Sequence, residues 1–171
     1  MKPQLSSDKH REMFSIRPIK ASDNSEIASI IRQCLLEFNA AKPGTMYYDP
    51  TADFTFEHFQ KENSAYFVAE MDGKVVGGGG FYPTEGLPEG IVELARLYLK
   101  PEARGKGIGK FIILHCELKA KSCGFQQMYL ETLEELNVAI PLYVKLGYRF
   151  TDAALGNSGH FGCEIRMLKS L

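Results

Sequence analysis

A mixed α/β fold is predicted for this chain of 171 residues by three observations. Short apolar runs, several of them alternating, at residues 14–19, 65–70, 91–99 and 127–131 read as strands, in which every second side chain shares a face. Apolar residues at 27, 30, 31, 34, 35 and 38 recur at helical spacing, and a second helix of about fifteen residues follows a glycine loop at 104–109. The resulting order, β-α-α-β-β-β-α-β-α-β-β, is that of a mixed α/β domain and lacks the strict alternation of a repeating βαβ barrel.

Taken in order, Phe14-Ser-Ile-Arg-Pro-Ile19 forms the first strand, and Asp23 or Asn24 is placed to cap the helix that follows. Residues 40–53 contain Pro43, Gly44 and Pro50 and read as a loop. Phe54, Phe56 and Phe59 suggest a short helix or a lid. Ala65-Tyr-Phe-Val-Ala-Glu70, then Asp72-Gly73, then Val75-Val76 is a hairpin signal. The glycines at 77–80 mark either a bulge or a place where something lies close to the backbone. A connection over 83–90 leads to the strand 91–99. The helix after the glycine loop takes Ile108, Phe111, Ile112, Leu114 and Leu118 as its apolar side and ends at Gly124. A strand over 127–131 and a helix over 137–146, stopped by Gly147, come next. Residues 148–150 and 162–168 are a last pair of strands around the loop 152–161.

Composition narrows the class. With 44% hydrophobic and 24% charged residues, the chain suits one domain over 13–171 with its own core, preceded by a loose polar tail over 1–12. A net charge of -1, with basic residues dispersed outside the loop, argues against a nucleic-acid partner. Apolar runs fall far short of the roughly 20 residues of a membrane span, and the first residues hold no secretory h-region. Cys34, Cys116, Cys123 and Cys163 form no CxxC pair, and Cys34 and Cys116 read as small core residues. His10, His58 and His115 show no ligand spacing. The expectation is a reduced, cytoplasmic protein without metal.

The chemistry concentrates at residues 94–110. Glycines at 105, 107 and 109 leave backbone N–H groups uncovered where a loop enters a helix N-terminus, and Arg104, Lys106 and Lys110 add positive charge. Such a place suits a phosphate, most naturally a pyrophosphate. The spacing is Gly-x-Gly-x-Gly, not the Gly-x-Gly-x-x-Gly of a dinucleotide fold, and no Gly-Lys-Ser/Thr of a P-loop follows.

Arg104-Gly-Lys-Gly-Ile-Gly109, preceded by the strand from Glu93, and Asn137-Val-Ala-Ile-Pro-Leu-Tyr-Val-Lys-Leu-Gly-Tyr148, one strand farther on, together resemble two blocks of the GNAT superfamily of N-acetyltransferases. The resemblance runs from 14 to 168. It implies a GNAT (acyl-CoA N-acyltransferase) fold: a mixed, mostly antiparallel sheet of six or seven strands, flanked by about four helices and splayed between the strands at 91–99 and 127–131. It implies acetyl-CoA as cosubstrate. The pyrophosphate would lie on the amides of Arg104, Gly105, Lys106, Gly107, Ile108 and Gly109, with Lys110 as a further cofactor-binding residue, and the pantetheine arm along the backbone of Leu97, Tyr98 and Leu99.

By the same resemblance, Tyr143 would donate to the departing CoA sulfur, and Asn137 would cap its helix or touch the pantetheine. Glu93 would be the base, or would orient the amine through water. Strand periodicity puts Glu93, Ala95 and Leu97 on one face and Arg96 on the other. His160, Tyr47 and Tyr82 are candidates for the acceptor side, where His160 would bind substrate or relay a proton. A small-molecule amine is the expected acceptor, and a homodimer is compatible with the family. The alternative is a non-catalytic acyl-CoA-binding or regulatory module of the same fold.

Overall fold

The computed structural model describes residues 14–171; the expected polar tail over 1–12 lies outside the described residues. Seven strands form one sheet: β1 (Ser15–Pro18), β2 (Ala65–Met71), β3 (Lys74–Tyr82), β4 (Ile91–Leu99), β5 (Gln127–Thr132), β6 (Arg149–Phe150) and β7 (Ile165–Ser170), in the order β1-β2-β3-β4-β5-β7-β6. Every neighbouring pair is antiparallel except β4–β5. Among the described residues the α-helices are α1 (Asn24–Glu37), α2 (Thr55–His58), α3 (Ile108–Ser122) and α4 (Ile140–Lys145). This is the mixed sheet with about four helices that the resemblance implies.

Each face of the sheet has its own core. Ile27, Ile30, Ile31 and Leu35 of α1 pack with Phe59, Tyr66 and Val68 on one face. Ile108, Ile112, Ile113 and Cys116 of α3 pack with Phe67, Val92, Leu94 and Met128 on the other. The predicted apolar side of α3 needs correction. Ile108 and Ile112 are buried, but Phe111 is 52% exposed and Leu118 69%, and Leu114 is also exposed. The buried stripe runs instead through Ile108, Ile112, Ile113, Cys116 and Ala120, where small residues fit close to the sheet.

The expected capping at Asp23 and Asn24 is also replaced. The Asp23 carboxylate accepts from the Arg17 guanidinium at 2.8 and 2.9 Å and from the Lys20 amide at 2.7 Å, closing the turn before α1. The Asn24 carbonyl oxygen accepts from the Phe56 amide at 2.8 Å and so ties α1 to α2.

The glycines of β3 serve both of the purposes foreseen for them. A Cβ at Gly78 would lie 2.6 Å from the Phe67 carbonyl oxygen, so that position has no room for a side chain, and one at Gly79 would press on the Leu97 and Ile112 side chains at 2.9 and 3.0 Å. The pairing of Gly78 with Tyr98 and of Gly80 with Ala95 leaves Gly79 facing both Arg96 and Leu97, a β-bulge in β4. Arg96 takes φ 55°, in the left-handed region. The extra residue shifts the strand's alternation. Leu94, Leu97 and Leu99 join the α3 core, whereas Ala95 and Tyr98 pack on the α1 side. Arg96 bonds to Thr51 and Thr55 on that same side. The prediction that Arg96 and Glu93 occupy opposite faces is therefore wrong, because period two does not survive an inserted residue.

Candidate active site

β4 and β5 pair only from Ile91 to Glu93, against Gln127 to Tyr129. From Leu94 onward β4 has no β5 partner, and a cavity of about 460 Å³ occupies the opening. Its wall is formed by Leu97, Tyr98 and Leu99, the glycine loop, and Ala139 and Leu142. The splay expected between these strands is present.

The loop meets this cavity with open amides. Gly105 has φ 71° and Gly107 φ 80°, and a Cβ on either would meet nothing within 4 Å, so glycine is required there for conformation and not for space. The first amide after the loop with a backbone acceptor is that of Phe111, which donates to Gly107 O at 3.0 Å. The amides of 105–110 have no acceptor among the described residues. They combine unpaired donors with the positive end of α3, and they suit a doubly charged phosphate group. Lys106 and Lys110 are exposed beside them.

Two expectations for this half are corrected. The Arg104 guanidinium does not stand free. It bonds both oxygens of Glu37 at 2.8 and 2.9 Å and the Leu99 carbonyl at 3.1 Å, and it lies 5.0 Å from the Phe38 ring centroid. Its charge is matched by Glu37, and its amide, expected to face the pyrophosphate, already donates to the Pro101 carbonyl at 3.2 Å, so the open donors begin at Gly105. The Leu99 carbonyl also accepts from Cys34 Sγ at 3.2 Å, so both lone pairs are taken and it is no open acceptor for an incoming arm.

The predicted helix over 137–146 shortens to α4. Pro141 sits in its first turn, Ala139 is its N-cap, and exposed Asn137 lies in the preceding turn without a capping bond. Tyr143 is 6% exposed and stacks edge-on with Tyr148 at 5.8 Å. It sits behind the wall residues Ala139 and Leu142 and is not itself on the wall of either cavity. Burial pushes its phenol well above the ordinary range, and the hydroxyl has no hydrogen-bond partner among the described residues.

A second cavity of about 280 Å³ lies along the same strand, and Tyr98 lines both. Glu93 is on its wall at 8% exposure, so it is not a surface carboxylate. The Thr84 hydroxyl donates to it. Burial raises its carboxyl to about 7, reinforced by the nearby charge of Glu131 and opposed by the Thr84 bond. Glu131, on the same wall, keeps Oε1 buried with no hydrogen-bond partner.

Facing these acids is a polar network. Arg96 donates to the Thr51 carbonyl and to Thr55 Oγ1 at 3.0 Å each, and to Thr51 Oγ1 at 2.5 Å. Thr51 Oγ1 donates in turn to Asp49 at 2.6 Å, and Asp49 also pairs with His160 Nε2 at 2.8 Å. The His160 and Thr51 bonds hold the Asp49 carboxyl well below the usual carboxylate range. Tyr82 is on the wall, stacked on His58 at 4.2 Å; burial pushes the His58 ring down to about 4, so it is neutral near pH 7. Tyr47 is not on the wall. It packs toward the α1 core and against Tyr48 at 5.0 Å.

Of the predicted acceptor-side residues, Glu93, Tyr82 and His160 are thus brought together and Tyr47 is not. Sequence reasoning missed Thr51, Thr84 and the wall positions of Arg96 and Glu131. Glu131 had a readable signal, since it closes the strand running parallel to that of Glu93. The threonines had none, because they arrive from a 3-10 turn and a loop outside the strands that carry the acids.

Residues 27–148 match the family model described as acetyltransferase (GNAT) family. The chain belongs to this family. Among GNAT relatives, it is 41% identical over 157 residues to an uncharacterized N-acetyltransferase of Escherichia coli K12, YjgM, a match covering 91% of this chain and 94% of that protein. A Staphylococcus aureus GNAT acetyltransferase superposes with a TM-score of 0.82 at 17% identity, covering 92% of this chain and 99% of that one. A phosphinothricin acetyltransferase of the GNAT superfamily from Sinorhizobium meliloti, solved in complex with AcCoA, gives a TM-score of 0.75 at 25% identity over 94% of this chain and 89% of that one. The described residues hold no group of three or more potential metal ligands, and no helix among them is long and apolar enough to cross a membrane.

Proposed function

We propose that the chain moves the acetyl group of acetyl-CoA to the primary amine of a small molecule, by direct attack within a ternary complex. The observation that carries this reading is the run of unpaired amides at 105–110, opening on the cavity where β4 parts from β5. A diphosphate takes those donors and the arm follows the open edge of β4, which brings the thioester toward Tyr98, between the two cavities. The neighbour from Sinorhizobium meliloti, with its bound AcCoA, supports the same cosubstrate. The smaller cavity, about 280 Å³, is sized for a compact molecule.

The chemistry follows from the groups around it. An amine near pH 7 arrives as an ammonium and must lose a proton before it can attack. Glu93, with a carboxyl at about 7, accepts that proton and passes it to water. The nitrogen lone pair then forms the N–C bond at the thioester carbon, and a backbone N–H near Leu97 stabilises the oxyanion. The nitrogen sheds its second proton by the same path as the C–S bond breaks. In this proposal the Tyr143 side chain turns past Ala139 and Leu142 into the larger cavity to give the leaving sulfur its proton, and water restores it.

Adding CoA to the isotopically labelled protein is expected to shift the amide resonances of 105–110, and acetyl-CoA with an amine panel is expected to release thiol. Unmoved amides at saturating CoA would refute the cosubstrate site, whereas bound CoA with no thiol release on any amine would leave an acyl-CoA-binding module. Tyr143→Phe is expected to lower kcat by at least about tenfold while the CoA Kd stays within about twofold, since the phenol acts only on the departing sulfur. Calorimetry alongside steady-state rates checks this.

A further inference from the structure

We propose that the acceptor carries a carboxylate as well as its amine, an amino acid or a close derivative, with the carboxylate held at Arg96. The inference rests on the small-molecule reading above and specifies the chemistry of that acceptor.

The smaller cavity is lined by groups of both signs. Its acids include Glu93, whose only hydrogen-bond partner among the described residues is the Thr84 hydroxyl, and Glu131, whose Oε1 has none and whose Oε2 lies 3.7 Å from Arg166 Nε. These groups receive an amine. On the same wall stands Arg96, 8% exposed, with no carboxylate within ion-pair distance among the described residues. Its three hydrogen bonds all go to neutral oxygens of Thr51 and Thr55 through Nη1 and Nη2, and Nε has no partner. Asp49 reaches it only through the Thr51 hydroxyl and is itself bonded by His160. A buried guanidinium without a direct anion is costly, and burial already lowers its pKa. A substrate carboxylate is the partner that removes the cost.

Placement supports the same conclusion. Arg96 reaches this cavity because the β4 bulge opposite Gly79 turns it onto the Glu93 side, at φ 55°. Its guanidinium carbon lies 5.5 Å from the Phe59 ring centroid, so the plane is held by stacking as well as by the two threonines. Lys61, 5.2 Å over Tyr82 on the same wall, is a second cation without an ion-pair partner among the described residues. The wall also carries Asp49, Glu85, Glu93 and Glu131, so an acceptor meets acids for its amine and, at Arg96, a buried cation with no direct anion for its carboxylate. A zwitterion matches both signs.

The test uses matched acceptors: the twenty common L-amino acids, their amides, and the amines left when the carboxylate is removed, each with acetyl-CoA and a thiol readout. The best amino acid is expected to exceed its decarboxylated amine by at least about tenfold in kcat/KM, carried mainly by KM. Arg96→Lys is expected to retain part of that preference, and Arg96→Gln to abolish it, with the CoA Kd within about twofold in both. Decarboxylated amines or amides used as well as the amino acids by the unaltered protein would overturn the proposal while leaving the small-molecule reading intact. CoA binding without turnover of any of these acceptors would overturn this proposal, and a wider panel of polyamines, drug-like amines and peptide N-termini then decides whether the small-molecule reading falls with it.

Discussion

Glu93→Gln is expected to lower kcat/KM by about 10²–10⁴, the range typical of a lost general base. The amide is nearly the same size and still accepts from Thr84, so the cavity keeps its shape. In the unaltered protein kcat/KM rises with pH through about 7, as the buried carboxyl gives up its proton, and this rising arm vanishes in the variant. Stability should move the other way. Below the ordinary carboxyl pKa both folded and unfolded chains hold the proton at Glu93. From there to about 7 only the folded chain holds it, so folding loses stability as pH rises, and the penalty is complete above about 7. The glutamine variant escapes a penalty of up to about 3 kcal/mol at pH 8. Rate profiles from pH 5 to 9 beside denaturant unfolding at pH 5 and 8 check both parts. A variant that keeps normal activity across this range would dismiss Glu93 as the base. One that loses activity together with stability would point to a structural role.

Gly107→Val is expected to weaken CoA binding by about 5- to 30-fold while the protein remains folded. Gly107 has φ 80°, which a β-branched residue adopts only at a cost of about 1–2 kcal/mol. The new side chain meets nothing within 4 Å at its Cβ, so the cost arises from backbone conformation and not from a clash. Relief comes by rotating the peptides on either side, which turns the amides of 106–108 away from the position they must hold for a diphosphate. Lys106→Gln removes an exposed charge and leaves those amides in place, so it is expected to weaken binding by less than the valine variant. Calorimetric titration with CoA distinguishes the two. If the lysine mattered more, side-chain charge rather than main-chain donors would hold the cofactor.

The two halves of the site were unequally legible in the sequence. The cofactor half is made of backbone, and backbone geometry is written in residue type: glycines at 105 and 107 for positive φ, a helix beginning at Ile108, a strand before them. Arg104 was misjudged because its partner, Glu37, lies on α1, far away in the chain. The acceptor half is assembled from side chains delivered by separate segments. Thr51 comes from a short 3-10 turn over Pro50–Phe54 after α1, Thr84 follows β3, Glu131 lies next to the last residue of β5 and His160 precedes β7. Tyr47 and Tyr82 were both candidates for the acceptor side, yet only Tyr82, the last residue of β3, reaches the cavity.

What the sequence determined by itself was the order and type of the elements, the glycine loop and the family those blocks resemble. Each depends on local preferences: alternation, helical spacing, and the φ range open to glycine. What only the tertiary structure decided was the face of Arg96, the burial of Glu93 and Tyr143, and the company each keeps. The physical reason is a single inserted residue. The bulge opposite Gly79 reverses the alternation of β4 in the middle of the site, and it arises from pairing with β3, which residues 91–99 do not encode on their own.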